Sequence, residues 1–224
     1  MKIIVLVRAI PDPHRPIHID AHGRVDVVRW IANPVDEVAV DIAATLPDAE
    51  IVAVSTCDEY LLSALARGAD HGYLVDAADD RALAKTLVEI AGREQPDLIL
   101  MGDGECGPRL AGALDISQAT GVISLNIVET SLQVSRRLPK AIEVLSLALP
   151  AVVTLHASLN FPKLLSLYDI VDTREKKVER LPSIEPSSDI TMLSASAAPK
   201  ARLGRMVNNV DELVHVLREE ARVI

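Results

Sequence analysis

Three glycines within six residues, Gly102-Asp103-Gly104-Glu105-Cys106-Gly107, precede Pro108 in a short loop whose spacing could serve an anion. Exposed main-chain N–H groups and the positive end of a following helix are what a phosphate needs. The residues spell GxGxxG, a weak signal taken alone, but GxxxxGK[ST] is absent, with Pro108 where the lysine would stand, and Asp103 and Glu105 would repel a phosphate. An ordinary Gly-rich turn explains the same residues. Asn33 and Asp36 open an earlier helix and could reach a ribose or a base, although plain capping accounts for Asn33 without any ligand.

Other chemistries lack their residues. Cys57 and Cys106 lie far apart, form no CxxC pair, and have no adjacent histidine to activate them, so they read as inert thiols in a reducing cytoplasm. Among the histidines at 14, 18, 22, 71, 156 and 215 there is no HExxH, and the four-residue spacing of His14, His18 and His22 falls in a Pro-rich loop and hairpin rather than on one face of a helix, which leaves a metal centre without its usual ligands. No GxSxG is present. No catalytic residue and no metal ligand is therefore expected.

The elements that must position the loop alternate regularly. Ile3 to Val7 reads as a buried strand, followed by a Pro-rich loop and a surface hairpin of Ile17 to Ile19 with Val25 to Val28 around Asp20-Ala21-His22-Gly23. Asn33 as N-cap with Pro34 after it and two early acids starts a helix running to about Leu46. Strands at Ile51 to Ser55, Tyr73 to Val75 and Asp97 to Met101 follow. Between them lie helices from Asp58 to Arg67, ended by Gly68, and from Asp80 to Arg93; another begins near Pro108. Such alternation predicts a mainly parallel, doubly wound α/β sheet of Rossmann-like type, with a crevice at the strands' carboxyl ends.

From residue 122 the rhythm changes. Val122 to Glu129, Leu132 to Arg136, Ile142 to Leu147 and Val152 to Leu155 are expected as added strands, largely antiparallel, at one side of the sheet. A charged segment from Asp172 to Arg180 and a Pro/Ser/Ala-rich stretch from Pro182 to Pro199 lead to a last helix, Val210 to Arg222, with Leu213, Val216 and Leu217 on one side. The expected division is a nucleotide-type domain over residues 1–181 and an arm over 182–224, reaching for another subunit or folding back on its own domain.

The composition agrees. The chain has 224 residues, 49% hydrophobic but only 2% aromatic, so Ala, Val, Leu and Ile must build the core, as in buried parallel sheets. A net charge of −9 argues against nucleic acid as partner. No run approaches the roughly 18 apolar residues of a membrane span, and the Ile3 to Val7 run is too short for a signal-peptide core.

Five segments in order resemble the electron transfer flavoprotein beta subunit family and together cover nearly the whole chain. They are Val7-Arg8 with Pro11-Asp12-Pro13; Asn33-Pro34-Val35-Asp36-Glu37-Val38-Ala39; Ala64-Leu65-Ala66-Arg67-Gly68-Ala69-Asp70; Leu149 to Thr154 with Leu159-Asn160-Phe161-Pro162-Lys163; and the final helix through Ile224. The resemblance implies a non-catalytic electron-carrier subunit that binds AMP, or a second FAD in electron-bifurcating relatives. It also implies an alpha partner holding the electron-carrying FAD, with dehydrogenases as donors. By position the nucleotide site comprises Leu6, Asn33, Pro34, Val35, Asp36, Thr56 and Gly102, Asp103, Gly104, Glu105, Cys106. The partner-docking loop comprises Leu159, Asn160, Phe161 and Pro162, with Phe161 in place of the family's acid.

One departure stands out. The family loop reads G-K-Q-A-x-D-x-D-x-x-Q-x-G, whereas here Gly102 reaches Gly107 in five steps. Since that loop wraps the phosphates in the family, its shortening weakens the expected grip on AMP and counts against a second FAD. Two rivals of related architecture are an ATP-using synthetase, which needs an SGGxDS-like loop after the first strand, and a stand-alone sensor similar to universal stress proteins.

Overall fold

The computed structural model describes residues 1–224 apart from 21, 78, 129–130, 160–161, 183–192, 197–203 and 205. The strands are β1 (Lys2–Val7), β2 (Ala9–Pro11), β3 (Ile17–Ile19), β4 (Val25–Val27), β5 (Trp30–Ala32), β6 (Glu50–Ser55), β7 (His71–Val75), β8 (Leu98–Gly102), β9 (Ser117–Val128), β10 (Ser131–Arg137), β11 (Ile142–Ala148), β12 (Ala151–Leu155) and β13 (Val178–Leu181). The helices are α1 (Pro34–Ala43), α2 (Asp58–Ala66), α3 (Asp80–Glu94), α4 (Cys106–Leu114), α5 (Leu167–Asp172) and α6 (Val210–His215).

Among the described residues nine strands form one sheet in the order β11-β10-β9-β12-β8-β1-β6-β7-β13. The pairings from β9 across to β13 are all parallel, while β9-β10 and β10-β11 are antiparallel. Every side chain from Ile3 to Val7 is buried, which requires cover on both faces. Ile3, Val5 and Val7 pack with α1 and α2 through Ala39, Val40, Leu61 and Leu65. Ile4 and Leu6 point the other way, against Leu83, Leu87 and Ile90 of α3 and Leu110 of α4. This is the doubly wound arrangement read from the alternation.

Several strands depart from expectation. Val152 to Leu155, expected among the added strands at one side, belongs to β12, which lies in the interior of the sheet, parallel to both β8 and β9. Its five residues are all buried, the mark of a strand covered on both faces. β9 accordingly starts at Ser117 rather than Val122, and its first half runs parallel to β12 before the chain turns into the antiparallel β9-β10-β11 meander. The charged segment from Asp172 to Arg180 supplies most of β13, an edge strand whose alternating burial leaves Val178 and Arg180 exposed and Glu179 and Leu181 half-buried.

Helix ends follow local chemistry. Asn33 Oδ1 accepts from Val35 N at 3.1 Å with Pro34 at the first helical position, and α1 ends at Ala43, three residues before the expected Leu46. Gly68, at φ +126°, terminates the turn after α2, where Lys176 Nζ donates to the Leu65 and Ala69 carbonyls at 2.9 Å each. α4 starts at Cys106, so Pro108 sits in its first turn, where no helical N–H is needed.

By contact the chain divides into one unit of Met1–His18 and Asp26–Met192 and another of Ile19–Val25 and Leu193–Ile224. In the second, Asn209 caps α6 through Glu212 N at 2.8 Å. The expected helix to Arg222 is there a six-residue α6 followed by a π turn, Val216–Glu220, with Leu213 exposed and Val216 and Leu217 half-buried. Most of the stretch from Pro182 to Pro199 lies outside the described residues, as does Ala21 in the expected hairpin turn. No helix among the described residues is long and apolar enough to cross a membrane.

Glu94, on the last turn of α3, closes the amino edge of the sheet. It accepts from Tyr73 Oη at 2.5 Å and Lys2 Nζ at 2.9 Å, with His71 Nε2 at 3.4 Å. Burial pushes its pKa up, but the bonds from Tyr73, Lys2 and His71 outweigh that and hold it at about 2 rather than 4.5. The folded value is the lower one, so its stabilisation is complete above about pH 4.5 and is lost as pH falls toward 2, at most roughly 3 kcal/mol. Urea unfolding at pH 6 and pH 3 should show this loss in the wild type and a flatter profile in Glu94→Gln. Equal pH slopes in both would remove Glu94 as the cause.

Candidate binding site at the carboxyl edge of the sheet

β1, β6 and β8 end side by side, and α1 presents its amino end to the same edge. Asp36, in the first turn of α1, is fully buried there. Its Oδ2 accepts from Arg8 N at 2.9 Å and Arg8 Nε at 3.0 Å; its Oδ1 accepts from Arg8 Nη2 at 3.0 Å and Gly102 N at 2.5 Å. Arg8, whose side chain is 11% exposed, also donates through Nη2 to the carbonyls of Gly102 at 2.8 Å and Asp103 at 3.3 Å. Burial alone would lower the guanidinium pKa; the Asp36 carboxylate more than reverses it. One carboxylate thus ties together the ends of two strands and the start of a helix, whose dipole favours negative charge at that point.

Gly102 and Gly104 are required by this packing. A Cβ at Gly102 would come within 2.8 Å of Asp36 Oδ1, and one at Gly104 within 2.5 Å of Arg8 Nη1. Asp103 turns toward the sheet, where its Oδ1 accepts from Gly121 N at 3.0 Å and from the buried Thr154 hydroxyl.

Above this floor opens a cleft of about 650 Å³. Asn33, Thr56 and Asp103 of the expected site line it. The remaining expected residues lie elsewhere. Leu6 is buried on the α3/α4 face, and Pro34 and Val35 border a separate hollow of about 240 Å³ shared with Leu159 and Pro162. Asp36 and Gly102 lie beneath the floor, and Gly104 packs on Arg8. Glu105 pairs with Arg109 at 3.0 Å. Cys106 is buried, and burial, helped by Asp80, pushes its thiol up to about 12, so it is no nucleophile at neutral pH. Leu159 is half-buried and packs on the core; Asn160 and Phe161 lie outside the described residues.

The cleft also has walls that motif reading passed over. Ile10, Trp30, Tyr60 and Leu83 supply apolar and aromatic surface, and Asp79 and Asp80 bring charge from the start of α3. Burial pushes the Tyr60 phenol up, so it stays neutral. Their common signal is position, since Ile10 lies on β2 just after β1, Cys57 follows the end of β6, and Trp30 sits on β5, which pairs with β2.

These residues suit one half of a nucleotide. Aromatic and aliphatic walls, with the polar side chains of Asn33 and Thr56 among them, have the chemistry that a flat base and a ribose would require. A phosphate does not fit: Arg8 is the one cation among the described lining residues, and it is paired with Asp36, while Asp79, Asp80 and Asp103 add negative charge. Among the described residues no group of His, Cys, Asp or Glu is placed to hold a metal ion that could offset this.

Comparison with known proteins supplies the lineage. Residues 25–186 match the electron transfer flavoprotein domain. The chain is 31% identical to the human electron transfer flavoprotein subunit beta, covering 100% of this chain and 99% of the relative. It is 32% identical to the mitochondrial subunit beta of Arabidopsis thaliana, covering 100% of both, and 30% identical to that of Bradyrhizobium diazoefficiens, again covering 100% of both. By its doubly wound sheet and by relatives matched from end to end, the chain belongs to the electron transfer flavoprotein beta subunit family.

Proposed function

We propose that this chain is the scaffold half of an electron-carrying heterodimer. An alpha partner holds the FAD that takes electrons from dehydrogenases, and this chain contributes no catalytic residue of its own. The observation that carries the reading is the end-to-end match to beta subunits. The cleft is the family's adenosine site, with Asn33 and Thr56 at its rim, and the AMP implied by the resemblance reduces here to its adenosine half.

Two surfaces fit the partner roles. Leu164 at 99% exposure, followed by exposed Leu167 and Tyr168, continues the expected docking loop of Leu159, Asn160, Phe161 and Pro162 with a stretch of bare apolar side chains. In the arm, Val210 and Leu213 are exposed on α6 and offer the alpha chain a grip. The cytoplasm is the proposed compartment. The synthetase alternative finds no support, since the residues after β1 form β2 instead of a phosphate loop.

Co-expression with an electron transfer flavoprotein alpha chain tests the assignment. The expected product is a yellow complex whose flavin is bleached by a reduced dehydrogenase, while this chain alone carries no flavin. A stable, colourless monomer that refuses every alpha chain would overturn the proposal.

A further inference from the structure

Two convergent sets of donors stand at the carboxyl edge of the sheet, and an aspartate of the chain itself fills each. The first set is Arg8 N, Nε and Nη2 with Gly102 N, at the positive end of the ten-residue α1; Asp36 occupies it with a fully buried carboxylate. The second is Gly121 N with the Thr154 hydroxyl, occupied by Asp103. Main-chain N–H groups, a guanidinium and a helix start are the equipment of an anion site. Here the anion is covalently supplied.

From this we infer that the cleft takes an uncharged purine nucleoside in place of a nucleotide, with Asp36 serving as a built-in anion. The inference rests on reading the cleft as the family's adenosine site and names the class of ligand that site accepts. A phosphate entering from solvent would have to expel Asp36, leaving Gly102 N and Arg8 N without acceptors in a buried place. Otherwise it would stop short, among Asp79, Asp80 and Asp103, with Arg8 already neutralised. A nucleoside meets neither obstacle. Its base lies between the aromatic and aliphatic walls, and its hydroxyls reach Asn33 and Thr56.

Calorimetric titration of the purified heterodimer with adenosine, AMP and inorganic phosphate tests this. Adenosine should bind at least tenfold more tightly than AMP, and phosphate should give no heat. Trp30→Ala should weaken adenosine several-fold, which places it in this cleft. Asp80→Asn, at the first position of α3, removes a negative charge from the cleft and should improve AMP several-fold more than adenosine, narrowing the ratio of the two affinities. AMP binding as tightly as adenosine would overturn the inference while leaving the cleft an adenosine site. Failure of both ligands, or indifference of adenosine to Trp30→Ala, would overturn the inference together with the reading beneath it.

Discussion

Asp36→Ala should lower the unfolding free energy by about 3–5 kcal/mol, because it strands a buried charge. Arg8 keeps only the carbonyls of Gly102 and Asp103, and the N–H groups of Arg8 and Gly102 lose their acceptor. Asp36→Asn keeps the shape and part of the hydrogen bonding, so its loss should be smaller. The double variant Arg8→Met with Asp36→Leu separates charge from hydrogen bonding. Buried ion pairs can often be exchanged for apolar side chains at little cost, yet two orphaned main-chain donors remain here, so only partial recovery is expected. Urea unfolding of the variants measures all three. A loss below about 1 kcal/mol for Asp36→Ala would mean that water takes over the carboxylate's role.

The second large effect is expected at Arg67. Its side chain, 7% exposed, donates to Glu37 Oε1 at 3.0 Å through Nη2 and to both Asp41 oxygens at 3.3 Å through Nη1. It also holds the Lys163 carbonyl at 2.8 Å, while Asp41 Oδ2 accepts Lys163 N at 2.8 Å, so this one cluster grips both polar groups of that residue. Arg67→Ala leaves two carboxylates one helical turn apart without a counter-charge and frees Lys163 on one side. A cost of about 3 kcal/mol is expected. Arg67→Lys should recover only part of it, since an ammonium cannot fork between two carboxylates. Cleavage by trypsin after Lys163 offers a local readout, because it follows opening of that segment. Cutting should quicken in Arg67→Ala before global stability is exhausted. An unchanged cutting rate would show that the loop is held by other contacts.

What could be read from the sequence was whatever neighbours in the chain decide. Asn33 before Pro34 starts α1, Gly68 ends the turn after α2, and the continuous run of Ile3 to Val7 lies buried on both faces. What escaped depends on topology. β12 is as short and apolar as any strand, but nothing in Ala151 to Leu155 announces that it inserts beside β8, some fifty positions earlier in the chain. The Arg8–Asp36 pair joins residues 28 apart, and only the meeting of β1 with α1 turns Asp36 inward rather than toward a ribose. The family resemblance drew attention to that position, but a carboxylate facing the cleft and one bonded beneath it have the same spelling. The same holds for Glu105, which the loop places on the surface beside Arg109.

Whether the anion site at the edge of the sheet is already filled decides between a nucleoside and a nucleotide. Ligands released by denaturing the native heterodimer, identified and counted by mass spectrometry, address this most directly. The expected yield is FAD equimolar with the complex, with a purine nucleoside or no second ligand and no stoichiometric AMP. AMP recovered in equimolar amount would show that Asp36 gives way to a phosphate, and would contradict the account.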